Sequence, residues 1–523
     1  MVLSMSRRFL WTLPLLLLPP GIAAGLVSNG EQEARRPNLL VLYGDDHATR
    51  AVGCYGSGLV ETPHIDALAE GGVRFSRSFV TNSICGPSRA VFLTGAHSHK
   101  NGQKANPPGF RAGQPTFPPL LQEAGYRTAV LGKWHLPGDP VGFDDWELVG
   151  GSYYGPSFRS AEGREPSEGH CTELLTGKAR AWLEARAEEA LAGEAGRPWF
   201  LWVSYKATHR TWDPGPRQLE LYRDTVFPEP ASLFDDYAGR SPGAAASQMR
   251  ISTDLFPAYD LKLPVTGEGI LDSRATQLRS RMTEEERKVW DATYGPENAA
   301  FAEAELEGED LVRWNYQRYM RDYLRCVAGI DESVGSLVGA LEELDLAKDT
   351  VVVYTSDQGF FLGEHGWYDK RWMYEPAFAT PLVVAGAGIA SGREEGALVQ
   401  NLDLAPTLLH LAGLGAPETM QGESLVPFLR GGTPFRWRDA VYYRYWQRDS
   451  GRTSHTVAPH WGIRTARHKL LYVPDFDFWE LYDLEADPEE VHNLAGDPDH
   501  ADLQESLTRR LGELREQYGD EDL

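Results

Sequence analysis

Residues 38–46 read Asn-Leu-Leu-Val-Leu-Tyr-Gly-Asp-Asp, a nearly continuous apolar run that stops on glycine and two carboxylates. A run of this length without polar alternation suits a strand buried on both faces, as in a mostly parallel sheet. Residues 128–131, 199–205 and 350–354 repeat the pattern. Between these runs lie helical patterns at 63–70, 117–124, 173–191 and 311–344. Strands alternating with helices predict an α/β sandwich, whose ligand site lies beyond the carboxyl ends of the strands.

That placement gives the polar residues after each run their interest. Asp45 and Asp46 follow the first strand, and Asp357 and Gln358 follow the run at 350–354. Two strand ends with hard oxygen ligands make a Ca²⁺ or Mg²⁺ site, although acidic residues after strands also serve as turn formers and helix caps. Gly132-Lys133-Trp134-His135 follows the run at 128–131, and Lys206-Ala-Thr-His209 follows the one ending at Tyr205. Lys370 lies in Gly-Trp-Tyr-Asp-Lys-Arg-Trp-Met-Tyr-Glu, residues 366–375. Taken singly, each Lys or His reads as solvated surface; their shared position after strands is the common thread.

The segment Thr-Asn-Ser-Ile-Cys-Gly-Pro-Ser-Arg, residues 81–89, reads as the opening of a helix, capped by Asn82 or Ser83, with Pro87 in its first turn. Cys85 and Arg89 are four apart and share a helix face, where the helix dipole and the guanidinium would favour an anion. The alternative is a buried structural cysteine.

Bulk properties narrow the class. With 523 residues the chain suits one large and one smaller unit. Residues 1–24 have the layout of a signal peptide: Arg7 and Arg8, an apolar stretch to Leu18, then small residues. The stretch is too short and proline-interrupted to span a membrane, so the mature protein is expected to be soluble and exported. Four cysteines do not make a disulfide scaffold. A net charge of −24 argues against nucleic acid and anionic membranes as partners, and requires a local positive cluster or metal for any anionic substrate. Fifteen tryptophans fit carbohydrate handling or an aromatic core equally well. Residues 210–305 read as a loop-rich insertion. Beyond about 430, segments 439–446, 460–473 and 478–488 read as antiparallel strands, with a last helix over roughly 500–517.

Taken together, Cys85-Gly86-Pro87-Ser88-Arg89, the two acidic strand ends, Gly132-Lys133-Trp134-His135, His209 and Lys370 resemble the formylglycine-dependent sulfatases of the alkaline-phosphatase-like superfamily. The likeness extends to Thr62–Val80, Gly125–Leu136 and Leu481–Ala495. It implies a central mostly parallel sheet flanked by helices (37–430) and a smaller C-terminal α+β subdomain with an antiparallel sheet (431–523).

It also implies that Cys85 is oxidised to formylglycine (3-oxoalanine) by a maturation enzyme. One hydroxyl of the hydrated aldehyde would attack sulfur, and the other would then expel sulfate. Asp45, Asp46, Asp357 and Gln358 would hold one Ca²⁺ beside Cys85. Arg89, Lys133 and Lys370 would offset charge on the sulfuryl oxygens. His209 is the better candidate acid for the leaving oxygen and His135 the proton acceptor, with the division between them open. Two departures stand out: Gln358 where relatives often carry Asn or His, and no proline soon after His209.

A finer resemblance, through 79–95, 214–222, 234–240 and 356–375, is to N-acetylglucosamine-6-O-sulfatases, including those called mucin-desulfating. It implies a terminal 6-sulfated N-acetylglucosamine of a mucin or glycosaminoglycan as substrate, with Asp369, Arg371 and His460 as candidate sugar contacts. The location implied is periplasmic or extracellular in a bacterium, lysosomal or secreted in a eukaryote. A sulfamidase or a phosphonate or phosphate monoester hydrolase would use nearly the same residues.

Overall fold

The strand β1 (Asn38–Gly44) occupies the middle of a ten-stranded sheet. In chain order its companions are β2 (Gly72–Phe75), β3 (Arg127–Gly132), β4 (Asp145–Gly150), β5 (Ser157–Ser160), β6 (Gly163–Pro166), β7 (Trp199–Ser204), β8 (Thr350–Ser356), β9 (Leu382–Gly386) and β10 (Arg393–Glu395). The spatial order is β10-β2-β9-β8-β1-β7-β3-β4-β5-β6. The run β8-β1-β7-β3-β4 is parallel throughout, whereas β9, β5 and β6 pair antiparallel with their neighbours. The computed structural model describes residues 36–106, 109–110, 113–191, 197–267, 269–448 and 456–521. The expected signal peptide at 1–24 lies outside them.

The apolar runs are uninterrupted because both faces of the sheet are covered. Along β1, Leu40 and Leu42 enter one core while Leu39, Val41 and Tyr43 enter the other. The first core is closed by α1 (Pro63–Glu70), by α3 (Cys171–Leu191) and by the 36-residue α6 (Gly308–Glu343). The second is closed by α2 (Cys85–Thr94) and by the helices Phe117–Glu123 and Leu404–Leu411. The mixed α/β sandwich expected from the sequence is the fold observed; the four expected strands and four expected helices match the observed boundaries to within a few residues, and the other six strands of the sheet were not expected.

Two local expectations are corrected. The stretch 210–305 is not loop throughout: it carries α4 (Ile270–Arg279) and α5 (Glu284–Ala304). The second of these begins with a Thr283–Glu286 capping box. Its only buried residues are Glu286, Trp290, Thr293 and Tyr294, and Pro296 sits inside it, so no clear apolar stripe marks it in the sequence. At α2, neither Asn82 nor Ser83 is the cap. The cap position is Ile84, extended and without a side-chain bond, because the Asn82 amide is turned to Ser98 Oγ and the Lys104 carbonyl.

The C-terminal part holds a separate antiparallel sheet of β11 (Ala440–Tyr445), β12 (His460–Thr465), β13 (His468–Val473) and β14 (Phe478–Asp483). The last helix, α7 (Ala501–Tyr518), buries Leu507, Leu511, Leu514 and Tyr518 against Tyr442, Ile463, Leu470 and Leu481. All four cysteines are free. Among the described residues no helix is long and apolar enough to cross a membrane.

Candidate active site

Strand register brings the polar segments into one row. Gly44 pairs with Ser356, Tyr43 with Ser204, and Ser204 with Gly132. Four adjacent parallel strands therefore end level, and each releases its polar residues at the same edge: Asp357 and Gln358, Asp45 and Asp46, Lys206 and His209, Lys133 and His135. Helix α2 presents Cys85 to the same place. Ligand atoms of Cys85, Asp45 and Asp357 lie within 4.8 Å of one another, and so do those of Cys85, Asp46 and His209.

The charges are paired tightly. Arg89 Nε and Nη2 donate to Asp357 Oδ2 at 3.1 and 2.9 Å, and Arg89 Nη1 donates to Ser204 Oγ at 2.5 Å and to the Lys133 carbonyl at 2.9 Å. Its guanidinium also stands 5.3 Å over the Tyr43 ring. Lys370 Nζ holds both oxygens of Asp46, at 2.6 and 2.5 Å, and Lys133 Nζ pairs with Asp45 Oδ2. The Asp46 amide donates to Asp357 Oδ1 at 2.9 Å. Gln358 Nε2 donates to Asp46 Oδ1, leaving Gln358 Oε1 buried with no hydrogen-bond partner.

Burial and crowding set the protonation of these groups. Burial alone would raise the Asp45 carboxyl, but Lys133, then His209, Arg89 and Lys370, hold it well below the usual carboxylate range. Asp357 is pushed up to about 7 by burial and by Asp45, with Arg89 opposing. Burial pushes the Cys85 thiol up to about 12 despite Lys133 and Lys370, so it is no thiolate nucleophile at neutral pH. His209 lies well below the ordinary imidazole range through burial and then Lys133, and its Nδ1 bonds the Arg210 carbonyl at 2.6 Å. Desolvation in the cleft and the Lys133 and Arg89 cations also lower His135.

Three carboxylates and an unpartnered amide oxygen form a hard-oxygen set that suits a divalent cation. Gln358, the fourth expected ligand, thus has the atom that a cation would need. The residues fit the group.

Asp46, His135, Asp369 and Arg371 are non-glycine residues with positive φ, at 65°, 57°, 78° and 94°. Left-handed backbone at such residues concentrates where the surrounding structure fixes side-chain direction. Asp369 and Arg371 flank Lys370 and pair with each other at 2.7 Å.

His460 is not at the cleft. It is completely buried and stacked on Trp372; its Nε2 accepts from the Met373 amide at 3.1 Å and its Nδ1 bonds the Ala458 carbonyl at 2.8 Å. With both nitrogens taken it cannot contact a sugar. It instead supports the segment that carries Lys370 and Arg371. Conversely, Ser204 and Tyr43, which fix Arg89, were not among the expected site residues. Their signal was position alone, at the polar end of an apolar run.

The Sulfatase family matches residues 37–414, and the family described as N-sulphoglucosamine sulphohydrolase, C-terminal, matches residues 363–517. The chain belongs to the sulfatase family. Among sulfatase relatives, an N-acetylglucosamine-6-O-sulfatase of Bacteroides thetaiotaomicron is 42% identical over 524 residues, covering 97% of this chain and 92% of the relative. The choline-sulfatase of Rhizobium meliloti is 27% identical, covering 88% and 83%. A solved structure, described as a complex with its substrate D-glucosamine-2-N,6-O-disulfate, has a TM-score of 0.88 and 41% identity, covering 93% of this chain and 99% of that one.

Proposed function

We propose that the protein is a sulfuric ester hydrolase that removes 6-O-sulfate from terminal N-acetylglucosamine or glucosamine of mucin or glycosaminoglycan chains. The observation that carries the reaction class is the convergence of Cys85 with Asp45, Asp46 and Asp357 and with Arg89, Lys133 and Lys370 on level strand ends. The relatives at 42% and 41% identity support the choice of ester.

In this reading Asp45, Asp46, Asp357 and Gln358 hold a calcium ion, which when bound supplies Lewis-acid polarisation of the sulfuryl group. Cys85, converted to formylglycine by a maturation enzyme, supplies the attacking oxygen as the aldehyde hydrate. The remaining work falls to side chains already in place. Lys133 and Lys370 offset the negative charge that collects on the sulfuryl oxygens, and Arg89 adds a fixed cation whose orientation Asp357 and Ser204 lock. His209 gives its Nδ1 to the Arg210 carbonyl, which leaves Nε2 as the position that carries a proton to the leaving sugar oxygen. An anionic substrate raises the pKa of His209 from its depressed value, so the proton is available when the ester is bound. His135, at the rim, accepts a proton from the reacting hydroxyl. Asp369 and Arg371, which flank Lys370, would bond sugar hydroxyls beside the sulfate. The C-terminal subdomain, residues 431–523, steadies that segment: the Tyr443 hydroxyl donates to the Arg371 carbonyl. The leader-like first residues support export to a compartment where such glycans occur.

The test is sulfate release from 6-sulfated N-acetylglucosamine, set beside N-sulfated glucosamine and a phenyl phosphonate. Release from the first at the highest kcat/KM is expected. Release only from the second or third would replace the reading with a sulfamidase or a phosphonate hydrolase.

A further inference from the structure

Beside the reacting centre, and sharing Lys133 and His135 with it, lies a cleft of about 300 Å³ whose charged lining is entirely positive: Lys133, Arg159, Arg164 and Lys206. No carboxylate among the described residues lines it, in a chain with 75 acidic and 51 basic residues. Arg159 and Arg164 are directly opposite one another across the β5–β6 ladder, where like charges ordinarily destabilise a sheet. Glycine lets them approach the cleft floor. A Cβ at Gly150 would lie 2.6 Å from Arg164 Nη1, and one at Gly151 only 2.9 Å from the Nη1 of a further arginine, Arg281.

These cations are only partly answered by the protein. Arg159 pairs with Asp139 and stands 5.0 Å over the Trp146 ring, and Arg164 donates to Ser157 Oγ at 2.9 Å. Lys206 faces the Tyr153 ring at 5.1 Å and has no ion pair among the described residues. Alternation along β6 turns Glu165 to the face opposite Arg164. The wall therefore holds a surplus of positive potential that starts at the catalytic lysine and runs outward.

We propose that this cleft binds a second anionic substituent of the glycan, a sulfate or a carboxylate, while the 6-sulfate occupies the reacting centre. The proposal rests on the reading of the protein as a glycan 6-O-sulfatase. It makes the enzyme a reader of charge pattern: a sugar with a second anion is held by Arg159, Arg164 and Lys206, and a singly sulfated sugar is not.

The test compares kcat/KM for three substrates: 6-sulfated N-acetylglucosamine, glucosamine-2-N,6-O-disulfate, and a disaccharide whose second sugar carries a carboxylate or sulfate. Wild-type protein is set against Arg164→Ala, Arg159→Ala/Arg164→Ala and Arg164→Lys. The expected result is that the ratio of a two-anion to the one-anion substrate falls about tenfold in the double variant, through KM, with partial return in Arg164→Lys. The salt sensitivity of the two-anion reaction should fall with it. A fall confined to the disulfated monosaccharide places the second anion on the same sugar, and one confined to the disaccharide places it on the neighbour. A ratio that is the same in wild type and every variant, for both two-anion substrates, overturns the proposal. Failure of wild type to release sulfate from the one-anion substrate would instead count against the functional reading. Because each comparison is a ratio within one protein sample, partial misfolding of a variant does not alter it.

Discussion

The molecule contains two buried ion clusters that are alike in charge balance and differ in how completely their polar atoms are matched. At the strand ends, Asp45, Asp46 and Asp357 face Lys133, Lys370 and Arg89. Where the C-terminal sheet meets the segment after Lys370, Glu375 and Glu490 face Lys469 and Arg464. In the second cluster every carboxylate oxygen has a partner: Lys469 Nζ lies 2.6 Å from Glu490 Oε1 and 3.0 Å from Glu375 Oε1, Arg464 Nη2 lies 3.3 Å from Glu375 Oε2, and the Glu375 amide donates to Glu490 Oε2 at 2.6 Å. The first leaves Gln358 Oε1 unmatched, whereas left-handed backbone occurs in both, at Asp46 and at Glu490. Perturbed acids occur in both, with Asp357 and Glu490 each raised to about 7. Charge balance and shifted acids therefore mark buried carboxylates in general. An unmatched acceptor and a nucleophile position mark the site.

The contrast can be broken most directly at Cys85. Replacement by Ala should lower sulfate release by about a thousandfold or more while the thermal midpoint stays within a few degrees, since one short side chain is lost. Substantial residual turnover would show that the chemistry does not run through this position. Next in size, Lys370→Ala should lower kcat by roughly 10²-fold, and also lower the thermal midpoint because Asp46 stays buried without its partner. A change in KM alone would assign Lys370 to ground-state binding. The mirror experiment is Lys469→Met, which leaves Glu490 without its cation and Glu375 with Arg464 alone. It should destabilise by about 3–5 kcal/mol in denaturant unfolding, yet change kcat per folded molecule little. A catalytic loss at Lys469 as large as that at Lys370 would erase the distinction between the clusters.

The smallest effect concerns pH. Burial lowers His97 and His460 to about 3 from 6.5. The folded state therefore binds fewer protons than the unfolded chain. Stability from these groups is full above pH 6.5 and is lost as pH falls from 6.5 toward 3, by at most about 1.4 kcal/mol per unit for each histidine. His460→Gln should flatten the fall in thermal midpoint below pH 6.5. An unchanged slope would remove His460 from the account.

Much of the site was legible because a strand covered on both faces writes an unbroken apolar run, and the reactive residues follow within five positions of its end. Asp45, Lys133, His209 and Asp357 could be found that way. Side-chain direction could not. His460 has the right chemistry on the right segment, but register turns its ring inward against Trp372. Helix α5 stayed hidden because it buries only Glu286, Trp290, Thr293 and Tyr294 and carries Pro296 inside, so no apolar stripe marks it. The Arg159–Arg164 wall was invisible for a different reason: two isolated arginines five residues apart become partners only through the hairpin that joins their strands.

One feature of the topology bears on time rather than space. Asp46 and Gln358 meet across 312 residues, and Cys85 and Gln358 across 273. A chain emerging from its amino end carries Cys85 long before β8 exists to pair with β1. All ten residues of α2 are buried once the sheet is complete. Contacts of such separation form late in folding. The thiol thus passes from open to sealed at a moment set by the arrival of the distant strand, and the interval before that moment is the window in which another protein can reach it.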